Sequence, residues 1–551
     1  MNSRDSVNRL KLGPIIGHTD HESTRIWIQV FDHPGLYSLR VHGVGLFGFA
    51  STETGPIEFG TAIATVTGLR PDRIYRYQIF RRGRFVPQTR GRFRTMPDPN
   101  SMTNIQFAAI SCSSAEKDGL WPQFEDFIKE SQPHFVLMMG DQVYIDEDDP
   151  DVFDEHFKSR SPVRRRALTE KYRLNWSREP VRRVMANVPT YMMWDDHDIR
   201  DGWGSMAQDS PTLANRFPAG RKIFEQFNAY FEDCRDVYWH FQGCHNPLPQ
   251  DTINVALPNY FSGPPVHGIR RAMPYAFRCG RTVILVLDSR GERDVFRKEY
   301  PVLGNEQWQF VDAVLENLAA EVEALAVVTP TPIASMDPEG QTQKLLGRRT
   351  DDVELFKAGD LEGLLNLRGS KGIQRVVDLG KAAVGSHLSR LTGRQFNLGS
   401  FQLNSIDEAR DQWSNHLCRP EQIQLIQKVG RSRLANRISG QPRSVLFLAG
   451  DIHVGGIFDI SSSNPDFKAP CLISSGISQN AGGSKEPILG VYLDEDFEVA
   501  PGIRSTMRDF VNDFNFGVIH VIPTGSGARI EGVVAHEGTS FGYGVDLADL
   551  V

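Results

Sequence analysis

Three short apolar runs in this chain each end abruptly in a polar group. Phe135–Met139 runs into Gly140-Asp141-Gln142-Val143-Tyr144, Tyr191–Trp194 into Asp195-Asp196-His197-Asp198, and Val445–Ala449 into Gly450-Asp451-Ile452-His453. An apolar run without polar alternation, bounded by glycine and charge, predicts a buried parallel strand. A fourth run, Ile105–Ser111, ends at Cys112. Between that run and Phe135–Met139 lies a segment with Phe124, Phe127 and Ile128 at helical spacing, which predicts a helix over about 121–130. Strand, helix, strand in that order predicts a parallel sheet. In open α/β sheets, ligands collect at the carboxyl ends of the strands. Four polar deliveries at such ends predict one shared site.

The pattern changes along the chain. Residues 12–95 alternate polar and apolar positions, as in Thr24–Val30 and Arg73–Phe80, with Gly and Pro between the runs. This predicts an antiparallel β-sandwich over residues 1–95. The stretch Gly68–Tyr77 resembles the fibronectin-type-III turn that leads into a Tyr-x-Tyr strand. The simplest role for the module is packing or shielding. Residues 96–104 predict a proline-bearing linker, and 105–551 a second domain that carries the strand-end site. Within that domain, 272–277 and 282–287 predict strands of a second sheet, and 305–318 and 419–434 predict helices. Residues 336–405 are irregular and rich in charge and Gly, and predict an insertion over one face. Residues 517–522 and 528–534 predict a terminal hairpin. The acidic loop 146–151 and the basic positions Arg164, Arg165, Arg166, Lys171 and Arg173 are expected to be solvated.

Composition narrows the functional classes. The chain has 551 residues, 40% hydrophobic and 23% charged, with a net charge of −7. That balance argues against a general nucleic-acid or anionic-membrane binder, while leaving room for a local basic patch. No stretch is long and apolar enough to span a membrane. The first residues carry no apolar signal core and no twin-arginine pair. A cytoplasmic location is therefore the default expectation, with a periplasmic or secreted one if a leader has been removed. The six cysteines match no zinc spacing. Most are expected to be buried small apolar residues, and a Cys234–Cys244 bridge is an option only for an exported protein.

The residues at the strand ends form a coherent ligand set. Thiolate and imidazole suit a transition metal, and phenolate suits ferric iron. Cys112, Asp141, Tyr144 and His453 thus make one candidate centre. Oxygens from Asp141, Asp196 and Asp451 make a second, suited to a hard cation such as Ca²⁺, Mg²⁺ or Mn²⁺. A shared Asp141 would bridge the two. Each residue alone has an ordinary structural alternative: a turn aspartate, a core cysteine, a half-buried tyrosine, a satisfied core histidine.

Taken together, Ser111-Cys112, Gly140–Tyr144, Trp194–His197, Leu287–Arg290, Asp411–Trp413 and Gly450–His453 resemble the PhoD-type alkaline phosphatases, within the calcineurin-like metallophosphoesterases. The resemblance covers most of the chain apart from 336–405. It implies an α/β (α+β) fold: a two-sheet metallophosphatase sandwich core preceded by a small all-β, fibronectin-III-like domain. It implies Fe(III) at Cys112, Asp141, Tyr144 and His453, and Ca(II) at Asp141, Asp196 and Asp451, with Mg, Mn or Zn as alternatives in the second site. The chain departs from the family pattern at Asp198, where Glu is usual, and at Ser113. Asp198 is expected to orient His197 by a hydrogen bond. Residues 329–335 lack the further histidine of the wider superfamily, so an oxygen-only second centre is expected. The family is typically exported by a twin-arginine leader, which this sequence does not display.

The expected activity is hydrolysis of small-molecule phosphate esters by in-line attack of a metal-bound hydroxide. His197 is the candidate general acid for the leaving group. Arg290 is the candidate phosphate clamp, with an ion pair to Asp288 or Glu292 as its structural alternative. Trp194 and Trp203 are expected to wall the site. Two rivals stand beside this reading: a phosphodiesterase of phospholipase or nucleotide type, and a metal-binding scaffold on a decayed phosphatase fold.

Overall fold

The computed structural model describes residues 8–55, 57–248, 265–335, 411–437, 439–479, 496–537 and 548–549. The insertion expected at 336–405 lies outside them.

The alternating N-terminal segment forms two antiparallel sheets. One pairs Leu12–Thr19, Thr24–Gln29 and Thr61–Val66, and the other pairs Tyr37–Val41, Ile74–Arg81 and Gly91–Arg94. Their inward side chains, among them Ile26, Ile28, Leu39, Val41, Ala64 and Ile79, make a separate core. The outward Trp27 and Phe59 join the main core instead, so this module is seated on the rest of the molecule. Tyr191 Oη donates to Thr19 O at 2.9 Å, and Tyr77 Oη donates to Ala186 O at 2.8 Å.

The four apolar runs are strands of two facing sheets. Ile105–Ile110, Phe135–Met139 and Thr190–Met193 are parallel neighbours in a six-stranded sheet. Asn515–Pro523 and Ala528–His536 form the predicted hairpin, and the former pairs antiparallel with Ile105–Ile110. The second sheet has eight strands. Its parallel centre is Thr282–Val286, Ala324–Val328 and Ser444–Ala449, and Tyr275–Cys279 closes one edge antiparallel.

The second sheet is apolar on both faces, and period-two geometry explains why. Ile284, Val286, Ala326, Val328, Leu446 and Leu448 face the first sheet. Val283, Leu285, Leu325, Val327, Val445 and Phe447 face the helices Gly304–Glu316 and Arg419–Ser432. Cutting Phe447 back to alanine would cost about 3–5 kcal/mol. In-register pairing, Met139 with Met193 and Val328 with Leu448, brings the polar ends of both sheets to one rim.

Some charged positions depart from expectation. Arg164 is buried and paired with Asp233, and Lys171 is buried and donates to Asp148 O at 2.5 Å. Their helix, Ser161–Trp176, is wedged between the sandwich and the rim rather than lying on the surface. Cys234 and Cys244 are free and buried, as are the other four cysteines. No helix among the described residues is long and apolar enough to cross a membrane.

Candidate metal centre

Each strand end turns sharply to aim its side chain into the rim. Cys112, Asp141, Asp451 and His453 all have positive φ, between 53° and 73°. Non-glycine residues rarely adopt this conformation, and holding it costs of order 1–3 kcal/mol each. Gly140 precedes Asp141 at φ 106°, where a Cβ would lie 2.6 Å from Asp195 Cβ. At Gly450 a Cβ would meet Ser111 Oγ at 2.3 Å. Glycine is thus required at both Gly-Asp steps by close approach, to a neighbouring turn of the same sheet at Gly140 and to the facing sheet at Gly450.

The turns bring together most of the expected residues. Ligand atoms of Cys112, Asp141 and His453 lie within 4.8 Å of one another, as do those of Asp141, Asp196 and His197, and those of Asp195, Asp196 and Asp451. Tyr144 joins the first group: its hydroxyl is 2.8 Å from His453 Nε2 and 3.3 Å from Asp141 Oδ2. Cys112 Sγ lies 3.5 Å from Asp141 Oδ2 and 3.1 Å from Ser475 Oγ. Ser475 Oγ also accepts from His453 N at 2.7 Å and so fixes that turn. Asp141 and Asp196 each belong to two of the three groups and so link them. Asp451 meets Asp196 together with Asp195, a residue that the sequence reading passed over.

Electrostatics sets this site apart. Burial, together with the neighbouring Asp196 carboxylate, pushes the Asp141 carboxyl well above the usual range. Burial and the charges of Asp195 and Asp196 do the same to Asp451. Cys112 and Tyr144 are raised by burial and by Asp141 among their neighbours. Asp195 Oδ2 has no hydrogen-bond partner among the described residues. These groups resist ionising together without a cation between them. Thiol, phenol and imidazole gather on one side and carboxylates on the other, which is the chemistry expected of a soft-donor and a hard-donor site.

Three residues take roles other than those expected. Asp198 does not touch the His197 ring. It accepts from Asp195 N and Gln142 N, at 3.0 and 3.3 Å, and from Tyr172 Oη and Gln242 Nε2, at 3.2 and 2.9 Å. Its short arm ties backbone turns together, and burial raises it to about 7. The partner of His197 is Asp146, at 2.8 Å from Nδ1. Asp146 belongs to the loop expected to be solvated, yet it is buried and also accepts from Asp201 N at 2.6 Å. Arg290 is fully buried beneath the rim. Its guanidinium binds Asp195, takes both oxygens of Asp411 at 2.6 Å, and lies 3.4 Å from Asp196 Oδ1. Its donors are committed to carboxylates, so it is a counter-charge to the acidic side and not a free phosphate clamp. Trp194 and Trp203 do form wall: Trp194 stacks on Tyr238 at 4.5 Å and Trp203 on Phe231 at 5.0 Å.

The sequence reading missed Asp146, Asp195, Asp411 and Ser475. Asp195 had a signal, since it sits inside the Trp194–His197 run. Asp411 lay in a recognised motif with no role attached. Ser475 had none.

Comparison with known proteins adds to this geometry. A solved structure described as PhoD aligns over 97% of this chain and 91% of its own, at 15% identity and a TM-score of 0.56. The purple acid phosphatase PPD1 from yellow lupin (Lupinus luteus) seeds aligns over 96% and 72%, at 10% identity and a TM-score of 0.45. No curated protein matches in sequence. The family model for PhoD-like phosphatase matches residues 107–487, a span that holds every strand end described above. The chain belongs to the PhoD-like phosphatase family and is a metal-dependent phosphoric ester hydrolase.

Proposed function

We propose that the protein hydrolyses phosphate esters of small molecules at a mixed centre, with iron on the soft-donor side and calcium on the carboxylate side. Cys112, Asp141, Tyr144 and His453 would hold the iron. Asp141, Asp196 and Asp451 would hold the second cation, with Asp195 Oδ2 at hand as a further oxygen. The observation that carries this reading is the convergence of these buried, mutually opposed acids around the shared Asp141. Bound cations supply Lewis acidity, bringing the pKa of water to about 7 and offsetting charge on phosphoryl oxygens.

The remaining work falls to the chain. His197 is the general acid. Burial opposes its charge, but Asp146, Glu147 and Asp196 outweigh that and hold the imidazolium well above the ordinary histidine range. Asp146 engages Nδ1, which leaves Nε2 to carry the proton to the departing alkoxide; Glu147 lies 3.9 Å from Nε2. Asp146 is a positioning residue in this scheme. Arg290 holds the Asp195 and Asp411 carboxyl groups in place through its guanidinium contacts. The buried tryptophan walls exclude water from the back of the site.

The test is turnover of p-nitrophenyl phosphate and bis-p-nitrophenyl phosphate before chelation, after it, and after reconstitution with iron and calcium. Loss on chelation and recovery only with both metals is expected, and the faster substrate assigns monoester or diester preference. Full turnover in metal-stripped protein would contradict the reading.

A further inference from the structure

A second cleft lies away from the rim, between the β-sandwich and the Ser161–Trp176 helix. It encloses about 690 Å³ and is lined by Lys11, Glu58 and Phe59 on one side and by Arg165, Arg166 and Arg173 on the other. The helical residues share one face, because positions 165, 166, 169 and 173 follow the helical repeat. Four cations meet one carboxylate there, in a chain whose net charge is −7.

Part of that charge is already matched. Arg165 binds both oxygens of Glu58, at 2.9 and 3.0 Å, and reaches Asp233 at 3.1 Å. Arg173 binds Glu170 at 2.7 Å and Gln29 Oε1 at 3.0 Å. The nearby Glu53 is taken up by the backbone N–H groups of Glu58, Phe59 and Gly60. Lys11 and Arg166 have no carboxylate within ion-pair distance among the described residues. Burial and the charge of Arg173 both act against the Lys11 ammonium, with Glu53 partly opposing them. A partly buried ammonium facing a guanidinium is an arrangement that an anion relieves.

We propose that this cleft binds a small molecule bearing two or more phosphate or sulfate groups. The volume suits such a ligand. Arg166 and the Nη2 edge of Arg173 offer guanidinium donors that match oxyanions, and Lys11 adds a point charge opposite them. The same helix braces the rim from its other face. Tyr172 Oη donates to Asp198 Oδ1 at 3.2 Å, and Asn175 Nδ2 donates to Ser113 O at 2.7 Å and Gln142 O at 2.6 Å. A ligand in the cleft therefore touches the element that holds the catalytic turns.

The experiment is calorimetric titration of the full chain with inositol hexasulfate, a polyanion that a phosphatase does not hydrolyse. The proposal expects saturable binding that weakens at least tenfold in Lys11→Glu/Arg166→Glu and persists in Asp141→Asn. The double variant should keep its melting temperature and its p-nitrophenyl phosphate turnover, since neither residue touches the rim. Competitive inhibition of turnover by the probe, lost in the double variant, would mark the cleft as the seat of a substrate's far end. Binding without competition would mark a separate ligand. No binding at millimolar probe, unchanged binding in the double variant, or loss of binding only in Asp141→Asn would each overturn the proposal.

Discussion

Two buried polar regions lie on either side of the Thr190–Met193 strand, and they are built on opposite logic. At the seam with the sandwich, His240 stacks on Phe59 at 4.3 Å, with Nδ1 3.0 Å from Thr52 Oγ1. His245 reaches Phe241 O at 2.8 Å through Nε2. Burial lowers both histidines to about 4. Both are therefore neutral at neutral pH. At the rim, by contrast, Asp141, Asp195 and Asp451 are raised by burial and by the charges of neighbouring carboxylates, Asp195 to about 7 against the pull of Arg290. Burial alone does not distinguish the two regions. A buried network stable in its neutral form holds the fold, whereas one whose members oppose each other is shaped for a cation.

The largest expected effect breaks the rim at its shared ligand. Asp141→Asn should abolish turnover and release both metals, yet raise the denaturation midpoint of the metal-free protein at pH 8, because one mutually repelling carboxylate is gone. Denaturant titration beside metal analysis checks both halves. His197→Ala should lower kcat by about 10²–10⁴-fold while leaving metal content unchanged, as single-turnover assays would show. Arg290→Met leaves Asp195 and Asp411 buried without their guanidinium and should cost about 3–5 kcal/mol of stability, read from urea unfolding. Stability unchanged in that variant would mean the acidic side does not depend on its counter-charge.

The comparison also predicts opposite responses to pH. Between about 6.5 and 4 the unfolded chain protonates His240 and His245 while the folded chain does not, so the seam loses stability as pH falls. The loss amounts to about 3 kcal/mol per histidine. In metal-free protein the rim acts the other way. Asp195 and Asp198 hold protons up to about 7, so their contribution is present at low pH and is lost as pH rises through 7. Replacing both histidines with glutamine should flatten the acid-side loss and leave the rim's trend, as thermal melts across pH would reveal. The smallest effect is at the positioning residue. Asp146→Asn should lower kcat by about 10–100-fold and move the alkaline limb of the kcat profile to lower pH, since His197 loses the charge that raises it.

Legibility in the sequence followed the range of each interaction. Phe135–Met139 and Val445–Ala449 were readable as strands because burial on both faces writes itself as an unbroken apolar run, and their Gly-Asp ends marked the turns. The candidate ligands Cys112, Asp141, Tyr144, Asp196, Asp451 and His453 were marked by the same strand ends, and the structure brings them to one rim. Pairing across the fold was not readable. Arg290 and Asp411 are 121 positions apart, and no local pattern says which carboxylate a guanidinium will find. Asp146 was hidden by its company, since an acidic run from 146 to 151 resembles a solvated loop until the fold turns its first member inward. Asp198 was misassigned because adjacency to His197 in sequence places it on the far side of a tight turn, where its oxygens meet backbone N–H groups instead.

The most direct measurement is the metal content and visible spectrum of the purified protein and of Cys112→Ala. The account predicts bound iron with a ligand-to-metal absorption band in the wild type, and loss of both the iron and the band in the variant, with the fold intact by circular dichroism. Iron retained with an unchanged spectrum in Cys112→Ala would contradict the assignment of the soft-donor side. A wild type that binds no metal, and whose melting temperature does not move on addition of iron and calcium, would contradict the reading of the rim as a metal centre.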